Sequence, residues 1–342
     1  MEKSPVPPVA ARKPMSLVTH GDERIDPWYW LREKSDPEVL AHLEAENTYT
    51  AAVTAGSEDL REFLYAEMVA RVQETDISVP ARKGGWWYYQ RTTAGAQYAT
   101  HCRQPDEDGR PAGAEQILLD ENTEAAGGDF FSLGAFDVSP DGRLVAYGTD
   151  RTGDEIFTLR IRDCDSGADH PDLISDTYYG TAWSRDGSVL FYARPDDARR
   201  PYQVWRHRLG TSASTDELVY QEDDERFFVR VGNTKTDDFI VIGISSSLTS
   251  EVRLLPADNP GDQFVVVQAR RNGVEYHVAH HRSATRGDHL YMWTNDDAPN
   301  FRLLVAPISF PSSRDPGVGE PEPAATRGSD MKSRTLPSVR MT

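Results

Sequence analysis

The segment SPDGRLVAYGTD, residues 139–150, joins a four-residue turn directly to an apolar strand. Pro140 and Gly142 are typical turn residues, and residues 144–147 supply the apolar run that follows. A similar segment, SRDGSVLFYARP, recurs at residues 184–195. Repetition of one turn-and-strand pattern indicates a fold assembled from similar units.

Three further segments align with these two: GGWWYYQR, DDFIVIGI and GDHLYMWT. The five aligned strands are marked by Trp87, Leu144, Val189, Phe239 and Leu290, at successive spacings of 57, 45, 50 and 51 residues. A second strand follows each marker strand, and in the first four units a third strand follows. With one strand leading into each marker, the predicted unit is a four-stranded antiparallel sheet.

A period near 50 residues with several strands per unit is typical of a β-propeller. One such sheet cannot cover both of its own faces, so neighbouring sheets stack radially and bury each other. The alternative is a β-sandwich whose turns are similar by accident, and five aligned units favour the propeller. We therefore predict a mainly β fold with five visible blades, the last of them without its closing strand.

The chain begins differently, because its first part has a helical period. Residues 1–15 are rich in Pro and Lys and are expected to be frayed. Ser35, Asp36 and Pro37 predict the start of a helix. A second helix is predicted from Asp59 to Gln73, where apolar residues share one stripe. No helical pattern returns further along the chain, so we expect two helices followed only by strands.

These patterns divide the chain into three parts. Residues 1–78 are predicted to form an N-terminal extension with two helices, and residues 79–309 an incomplete β-propeller. Residues 310–342 contain several prolines and no Trp or Tyr, which predicts a disordered or aberrant tail.

The charge and the cysteine count limit the classes of partner and compartment. The 342 residues carry a formal net charge of -18, so nucleic acid and anionic membrane are not expected partners. The acidity serves solubility or attracts a basic peptide. Two cysteines, Cys102 and Cys164, cannot build a disulfide framework and suggest buried thiols in a reducing compartment. No apolar run suits a signal or a membrane span, so a cytoplasmic location is expected.

No catalytic residue is predicted from the motifs. A nucleophile elbow would have the pattern G-x-S-x-G after a strand. The segment GTSAS at residues 210–214 lacks the second glycine, and GISSSLTS at 243–250 is interpreted as a strand end. Neither a phosphate-binding loop nor a dinucleotide fingerprint is present, so no cofactor is expected.

Three groups of polar residues are candidate sites, and we interpret each of them as structural. His277, His280 and His281 are poorly spaced for metal ligation. His277 and His280 are three positions apart, and strand positions three apart face opposite sides. No metal site is therefore expected. The acidic run at residues 222–225 could attract basic substrates, although a solvated loop is the simpler interpretation. Residues 199–200, both Arg, are interpreted as part of a hairpin loop.

Several stretches resemble the oligopeptidase B branch of the prolyl oligopeptidase family of serine peptidases. At the N-terminus these are HGDERIDPWYWLRE and PEVLAHLEAENTYT. In the repeat region they are RPYQVWRHRLGT, TSEVRLL and NDDAPNFRLLVAP. The likeness extends over roughly residues 14–309.

The resemblance implies a helical segment, a seven-bladed propeller that filters substrates by size, and an α/β-hydrolase domain. That domain carries a Ser-Asp-His triad and cleaves short peptides after basic residues. None of the triad residues can be carried onto a position of this chain, so no catalytic residue is assigned and the chain alone is expected to be inactive. About two blades and the hydrolase domain are expected outside these 342 residues, whether the reading frame is interrupted near Phe310 or the protein is naturally short. The alternative function is a propeller that binds a basic peptide or protein by itself.

Overall fold

The computed structural model describes residues 5–285 and 287–308, so the expected tail at 310–342 lies outside the described residues. The chain separates into two compact units, Met1–Glu74 and Thr75–Thr342. Each unit is built from a different class of secondary structure, as the change of period in the sequence indicates.

The first unit begins with a hairpin that the sequence prediction missed. Its elements are β1 (Met15–Thr19), β2 (Asp22–Asp26), a 3₁₀ helix (Tyr29–Arg32), α1 (Pro37–Thr54), a 3₁₀ turn (Ala55–Ser57) and α2 (Glu58–Val69). The predicted N-terminus of α1 is confirmed, because the Asp36 carboxylate accepts a hydrogen bond from the Glu38 amide at 2.8 Å. The second helix ends at Val69, four residues before the predicted end.

The two helices of the first unit carry a partly exposed apolar stripe. Val39 is their one buried residue among those described. The exposed members of the stripe are Leu40, Leu43, Val53, Leu60, Phe63, Leu64, Tyr65, Met68 and Val69. A helix pair with this much exposed apolar surface is typical of a segment that packs against another protein surface.

The second unit consists of short antiparallel strands. In chain order these are β3 (Ala81–Lys83), β4 (Trp86–Arg91), β5 (Thr100–Glu107), β6 (Arg110–Pro111), β7 (Gln116–Asp120), β8 (Ser132–Val138), β9 (Leu144–Asp150), β10 (Phe157–Asp163), β11 (Asp169–Thr177), β12 (Thr181–Trp183), β13 (Val189–Pro195), β14 (Pro201–Arg208), β15 (Glu217–Gln221), β16 (Phe228–Asn233), β17 (Phe239–Ser245), β18 (Ser250–Pro256), β19 (Val265–Gln268), β20 (Tyr276–Ser283), β21 (Gly287–Thr294) and β22 (Arg302–Pro307). A one-turn helix, α3 (Glu121–Ala125), and a 3₁₀ turn (Ala213–Thr215) interrupt the strands. The expectation that no helix follows the first two was therefore wrong.

The strands form five sheets in simple sequence order, which confirms the predicted blades. The first sheet has the order β3-β4-β5-β7, with the two-residue strand β6 paired to the end of β5. The next three are β8–β11, β12–β15 and β16–β19, each with four antiparallel strands. The fifth contains β20, β21 and β22 in the described part of the chain. Each marker strand of the sequence alignment is the second strand of its blade.

The second strands of the middle blades are buried on both faces. In β9, Val145, Ala146 and Tyr147 are all 0% exposed, and residues 190–193 of β13 are buried equally. Full burial of such side chains stabilises the fold by about 1.5–3 kcal/mol each relative to exposure. Continuous burial replaces the usual alternation because a neighbouring blade covers each face.

The repeated turn that first suggested the blades has the same hydrogen bonds in two blades. In blade 2, Ser139 Oγ donates to Asp141 Oδ1 at 2.6 Å and accepts from the Leu144 amide at 3.0 Å. Blade 3 repeats this arrangement with Ser184, Asp186 and Val189 at 2.7 and 3.0 Å. Gly142 and Gly187 have φ values of 75° and 69°, which favour glycine. Ser139 and Asp141 therefore shape a turn, as the sequence predicted.

Blade 4 builds the corresponding turn from other residues. Thr234 replaces the serine, and its Oγ1 accepts from the Phe239 amide at 3.2 Å. Thr236 replaces the aspartate and lies 3.0 Å from Thr234 Oγ1. Asp237 adopts the left-handed conformation, with φ 55°, at the position of the glycine. The hydroxyl that accepts from the strand amide is thus the shared element of all three turns.

We expect Ser184→Ala to destabilise the second unit by about 1–3 kcal/mol, because the buried Val189 amide loses its side-chain acceptor. Chemical denaturation followed by tryptophan fluorescence measures this change. The exposed Ser214→Ala is the matched control, with an expected change of less than about 0.5 kcal/mol. Equal stabilities of the two variants would contradict the proposed importance of the turn.

The fifth blade has one covered face and one exposed face among the described residues. Leu290 and Met292 of β21 are buried, whereas Tyr291 and Trp293, which alternate with them along the strand, are 37% and 51% exposed. Trp293 pairs with Leu303 of β22, which is 65% exposed. This apolar sheet face resembles the inner faces of the other blades before a neighbour covers them.

We predict that the 342-residue chain self-associates when it is produced alone, because this sheet face is apolar. Trp293→Glu combined with Leu303→Lys places opposite charges across the strand pair and should lower the average mass toward 38.3 kDa. Light scattering after size exclusion measures the mass, and Ser214→Ala, in an exposed turn of blade 3, is the control. A monodisperse wild-type monomer would contradict the prediction.

Candidate functional site

The first strands of four blades meet in one polar cluster. Thr181 of β12 directs its Oγ1 toward Asp137 Oδ2 of β8 at 3.4 Å. Lys83, the last residue of β3, lies with its Nζ 3.4 Å from Asp237 Oδ1 in the turn after β16. Radial sheets come closest to one another at the central axis, and β12 contacts both β8 and β16, so the first strands are the inner strands of their blades. The cluster of Lys83, Asp137, Thr181 and Asp237, called here the axial cluster, therefore lies at the axis.

Asp137 has an unusual electrostatic environment within the axial cluster. Burial raises the pKa of its carboxyl to about 6, and the Lys83 ammonium and the Thr181 hydroxyl only partly oppose this effect. The Asp237 carboxylate raises the pKa further. Two carboxyl groups thus share one ammonium group, and the axial cluster keeps an excess of negative charge when both are ionised.

The backbone around the axial cluster is held by hydrogen bonds between blades. Trp183 Nε1 donates to the Asp137 carbonyl at 3.1 Å, which joins blades 2 and 3. Asn233 of blade 4 accepts from the Trp183 amide and donates to the Trp183 carbonyl, both at 2.9 Å. Gly180 has φ 90°, and a Cβ there would lie 2.9 Å from the Val231 carbonyl oxygen. Only glycine therefore fits before Thr181 without a shift of the backbone.

The axial cluster was missed by sequence reasoning, since its members lie in four separate blades and share no local motif. It contains no nucleophile with an adjacent base. Its chemistry is ion pairing, in which a different cation could compete with Lys83 for two carboxylates. A sequence signal for the axial cluster does exist: Lys83 lies just before, and Asp237 within, the turn that follows the first strand of its blade.

The serine-containing segments are structural. In GTSAS, Ser212 Oγ accepts from the Ser214 amide and caps a 3₁₀ turn. In GISSSLTS, Ser246 Oγ donates to the Thr249 carbonyl. Ser250 Oγ donates to the Tyr276 carbonyl at 2.9 Å, which links blades 4 and 5. These hydroxyls therefore bind backbone groups and are not placed as nucleophiles.

The three histidines of blade 5 do not converge. His277 stacks on Trp293 and His281 contacts Tyr291, both on the exposed face of the blade. His280 is buried on the opposite face, with its Nδ1 2.7 Å from Thr236 Oγ1. Burial lowers the pKa of its imidazole below the ordinary value. Within residues 5–285 and 287–308, no three His, Cys, Asp or Glu side chains form a group that could hold a metal ion.

The acidic run at residues 222–225 lies in a loop between β15 and β16, as the sequence suggested, but its first residue is not solvated. Glu222 is 5% exposed and accepts a hydrogen bond from Arg270 of the fourth blade at 2.5 Å. Asp224 accepts from Arg226 at 2.6 Å, and these contacts lower its pKa to about 2. Asp223 and Glu225 remain exposed, so this run is a partly solvated connection between blades 3 and 4 that buries one of its four carboxylates.

The two arginines of the β13–β14 loop also connect elements. Arg199 pairs with Asp154 of blade 2 at 2.9 Å, and Arg200 donates to the Phe227 carbonyl at 3.0 Å. The predicted hairpin loop is confirmed. Cys102 and Cys164 are both free and buried, as predicted, and burial raises the pKa of each thiol to about 11. Such thiols are poor nucleophiles.

Radial sheets of sequential strands around a polar axis define a β-propeller. The sequence profile described as "Prolyl oligopeptidase, N-terminal beta-propeller domain" matches residues 7–324. The chain therefore belongs to the prolyl oligopeptidase family of serine peptidases, whose N-terminal propeller it contains.

Named relatives place the chain within that family. It is 40% identical over 329 residues to dipeptidyl aminopeptidase BI of Pseudoxanthomonas mexicana, covering 91% of this chain and 45% of the relative. It is 33% identical to protease 2 of Moraxella lacunata, covering 90% and 44%. The chain thus spans less than half the length of the curated relatives it matches.

Solved structures agree with the fold. Oligopeptidase B from Leishmania major superposes with a TM-score of 0.81 at 31% identity, over 89% of this chain and 45% of that one. Oligopeptidase B from Trypanosoma brucei, with covalently bound antipain, gives 0.77 at 32% identity over 90% and 45%. No helix within the described residues is long and apolar enough to cross a membrane.

We predict that the free energy of unfolding of Asp137→Asn, compared with that of wild type, is higher at neutral pH than at acid pH. A carboxyl with a raised folded pKa contributes stability below its unfolded pKa, near 3.9, and loses it as the pH rises through about 6. The free-energy difference between Asp137→Asn and wild type should shift by about 2–3 kcal/mol in favour of the variant between pH 4 and 7.

Urea denaturation of both proteins at the two pH values measures this shift. Asp197→Asn, in the exposed β13–β14 loop, is the matched control and should show no such dependence on pH. A constant difference between Asp137→Asn and wild type would contradict the assigned pKa.

Proposed function

We propose that this propeller controls access to the active site of an oligopeptidase B-like serine peptidase that cleaves short peptides after basic residues. The catalytic triad belongs, in this proposal, to an α/β-hydrolase domain outside these 342 residues. The propeller contributes selection of substrates and no bond-breaking group.

The observation that carries the proposal is the Lys83–Asp237 contact between the first and fourth blades. An ion pair across the axis obstructs the central channel, yet it can exchange partners without breaking covalent structure. Its strength is modest, because Lys83 and Asp237 side chains are 43% and 23% exposed. A reversible contact of this kind suits a gate.

A preference for basic peptides is supported by charge. The net charge of -18 attracts cations over a distance, and the axial cluster holds two carboxyl groups against one ammonium. A guanidinium or ammonium group of a peptide can replace Lys83 as the partner of Asp237. The two oligopeptidase B structures at 31% and 32% identity are consistent with this class of substrate.

We also propose a reducing, cytoplasmic location, which the two free, buried cysteines support. A second candidate reaction is release of dipeptides, because the relative at 40% identity is named dipeptidyl aminopeptidase BI. The negative net charge equally supports the remaining alternative, a propeller that binds a basic peptide without any hydrolase domain. The exposed apolar stripe on α1 and α2 favours the peptidase, since it provides a surface for a further domain.

Two measurements on the 342-residue chain test the proposal. We predict no hydrolysis of an arginyl-amide chromogenic substrate and no labelling by a fluorophosphonate probe, because the proposal assigns the catalytic serine to a domain outside these 342 residues. Hydrolysis that scales with the purified chain would contradict the placement of catalysis in another domain.

The gate is tested with Lys83→Cys combined with Asp237→Cys. The lysine side chain spans most of the gap between these two positions, so the two thiols are joined with a bis-methanethiosulfonate reagent and not by direct oxidation. The cross-link should slow association of a fluorescent lysine-containing peptide at least about tenfold, and reduction should restore it, since the axis then reopens. Ser212→Cys combined with Ser214→Cys, in an exposed turn, controls for the chemistry. Unchanged association in the cross-linked protein, or no association in any form, would refute access through the axis.

A further inference from the structure

The seam between blades 2 and 3 contains three ionisable side chains that are shielded from water. Asp172 lies on β11 of blade 2, His207 on β14 of blade 3, and Asp216 immediately before β15. The His207 side chain is 0% exposed and both aspartate side chains are 1% exposed. Charged groups buried this deeply are costly unless each is paired and hydrogen-bonded.

Both nitrogens of His207 face a carboxylate oxygen. Nε2 lies 2.8 Å from Asp172 Oδ1, and Nδ1 lies 2.7 Å from Asp216 Oδ1. Asp172 Oδ1 also accepts from the Gly210 amide at 2.6 Å, and Asp216 Oδ2 accepts from the Tyr192 hydroxyl at 2.9 Å. Each short N···O contact needs one proton between its two atoms, and because imidazole is a stronger base than a carboxylate, we assign both protons to the ring nitrogens.

A neutral imidazole has one N–H and cannot donate from both nitrogens. We propose that His207 is held doubly protonated between Asp172 and Asp216, and that this triad is an alkali-sensitive ionic clamp between blades 2 and 3. Loss of the extra proton places a nitrogen lone pair against a buried carboxylate and weakens the clamp. The seam between these two blades is thus a point at which pH acts on the propeller.

The other titratable groups at the seam do not supply this proton. Tyr192 keeps its hydroxyl proton, because burial raises its pKa well above the ordinary value. The Arg194 guanidinium lies over two aromatic rings, with its Cζ 4.7 Å from the Trp205 centroid and 5.4 Å from the Tyr192 centroid. His170 Nδ1 is 3.9 Å from Asp172 Oδ2, beyond hydrogen-bond distance. His207 is therefore the group whose protonation decides the state of the clamp.

The sign of the pH effect follows from proton counting. In the unfolded chain the two aspartates are ionised and histidine is neutral above about pH 6.5. The folded triad retains one more proton, so rising pH favours unfolding. The unfolding equilibrium constant should rise by up to about tenfold per pH unit from this source.

Nitrogen-15 NMR of the full chain labelled at histidine tests the proposal directly. Of the 9 histidines, one should keep protons on both ring nitrogens at pH 8.5, where exposed histidines have lost one. His207→Gln should remove that signal, and the exposed His281→Gln should leave it. Asp216→Asn, which keeps the size of the side chain, should convert the signal to a singly protonated ring at pH 8.5.

The wild-type spectrum alone can overturn the proposal, whether or not a variant folds. Absence of a doubly protonated histidine at pH 8.5 would do so, as would its persistence in His207→Gln. The second readout is urea denaturation between pH 6.5 and 8.5. The ratio of unfolding constants, Asp216→Asn over wild type, should fall with rising pH, and a constant ratio would contradict the clamp.

Discussion

Burial of both faces of each four-stranded sheet is the constraint on which the second unit depends. The side chains of β9 and β13 are buried on both sides, so neither blade can keep water from its own second strand. Each blade therefore requires a neighbour on either side, and radial stacking satisfies this requirement repeatedly. The aligned hydroxyl turns, the glycines with positive φ and the hydrogen bonds between blades are local solutions that allow the sheets to approach. The exposed aromatic face of β21 shows the same surface where no described residue covers it.

Polar groups between the blades give the stack its specificity. Apolar side chains would tolerate small slips between neighbouring sheets, whereas the contacts of His207, Arg270 and Trp183 require defined positions. These contacts occur at different distances from the axis. Blade 3 is thereby fixed to blade 2 by the Asp172–His207–Asp216 triad, and to blade 4 through Arg270 and Asn233. At the axis the same kind of chemistry is weaker and more accessible to water, which is consistent with a contact that opens.

Local patterns predicted the blades well, because turn chemistry and apolar runs are encoded within about twelve residues. The N-terminus of α1 followed from Asp36 and Pro37 for the same reason. The hairpin β1–β2 was missed because its strands are almost wholly exposed and have no apolar alternation. The role of Glu222 was misjudged because its partner, Arg270, lies 48 residues away. The axial cluster could not be predicted, since it assembles single residues from four blades whose relative placement depends on how the sheets stack.

The Lys83–Asp237 contact also has a consequence for folding of the chain during its synthesis on the ribosome. Its first member belongs to the first blade, and its second member emerges only after two more blades and the first strand of the fourth have been synthesised. Most neighbouring-blade contacts are local in sequence and can form as the chain appears, whereas this one closes a long loop and carries its entropic cost. The nascent stack is therefore expected to remain open along its axis until the fourth blade begins to form. The contact at the axis thus forms later than the contacts between the first three blades.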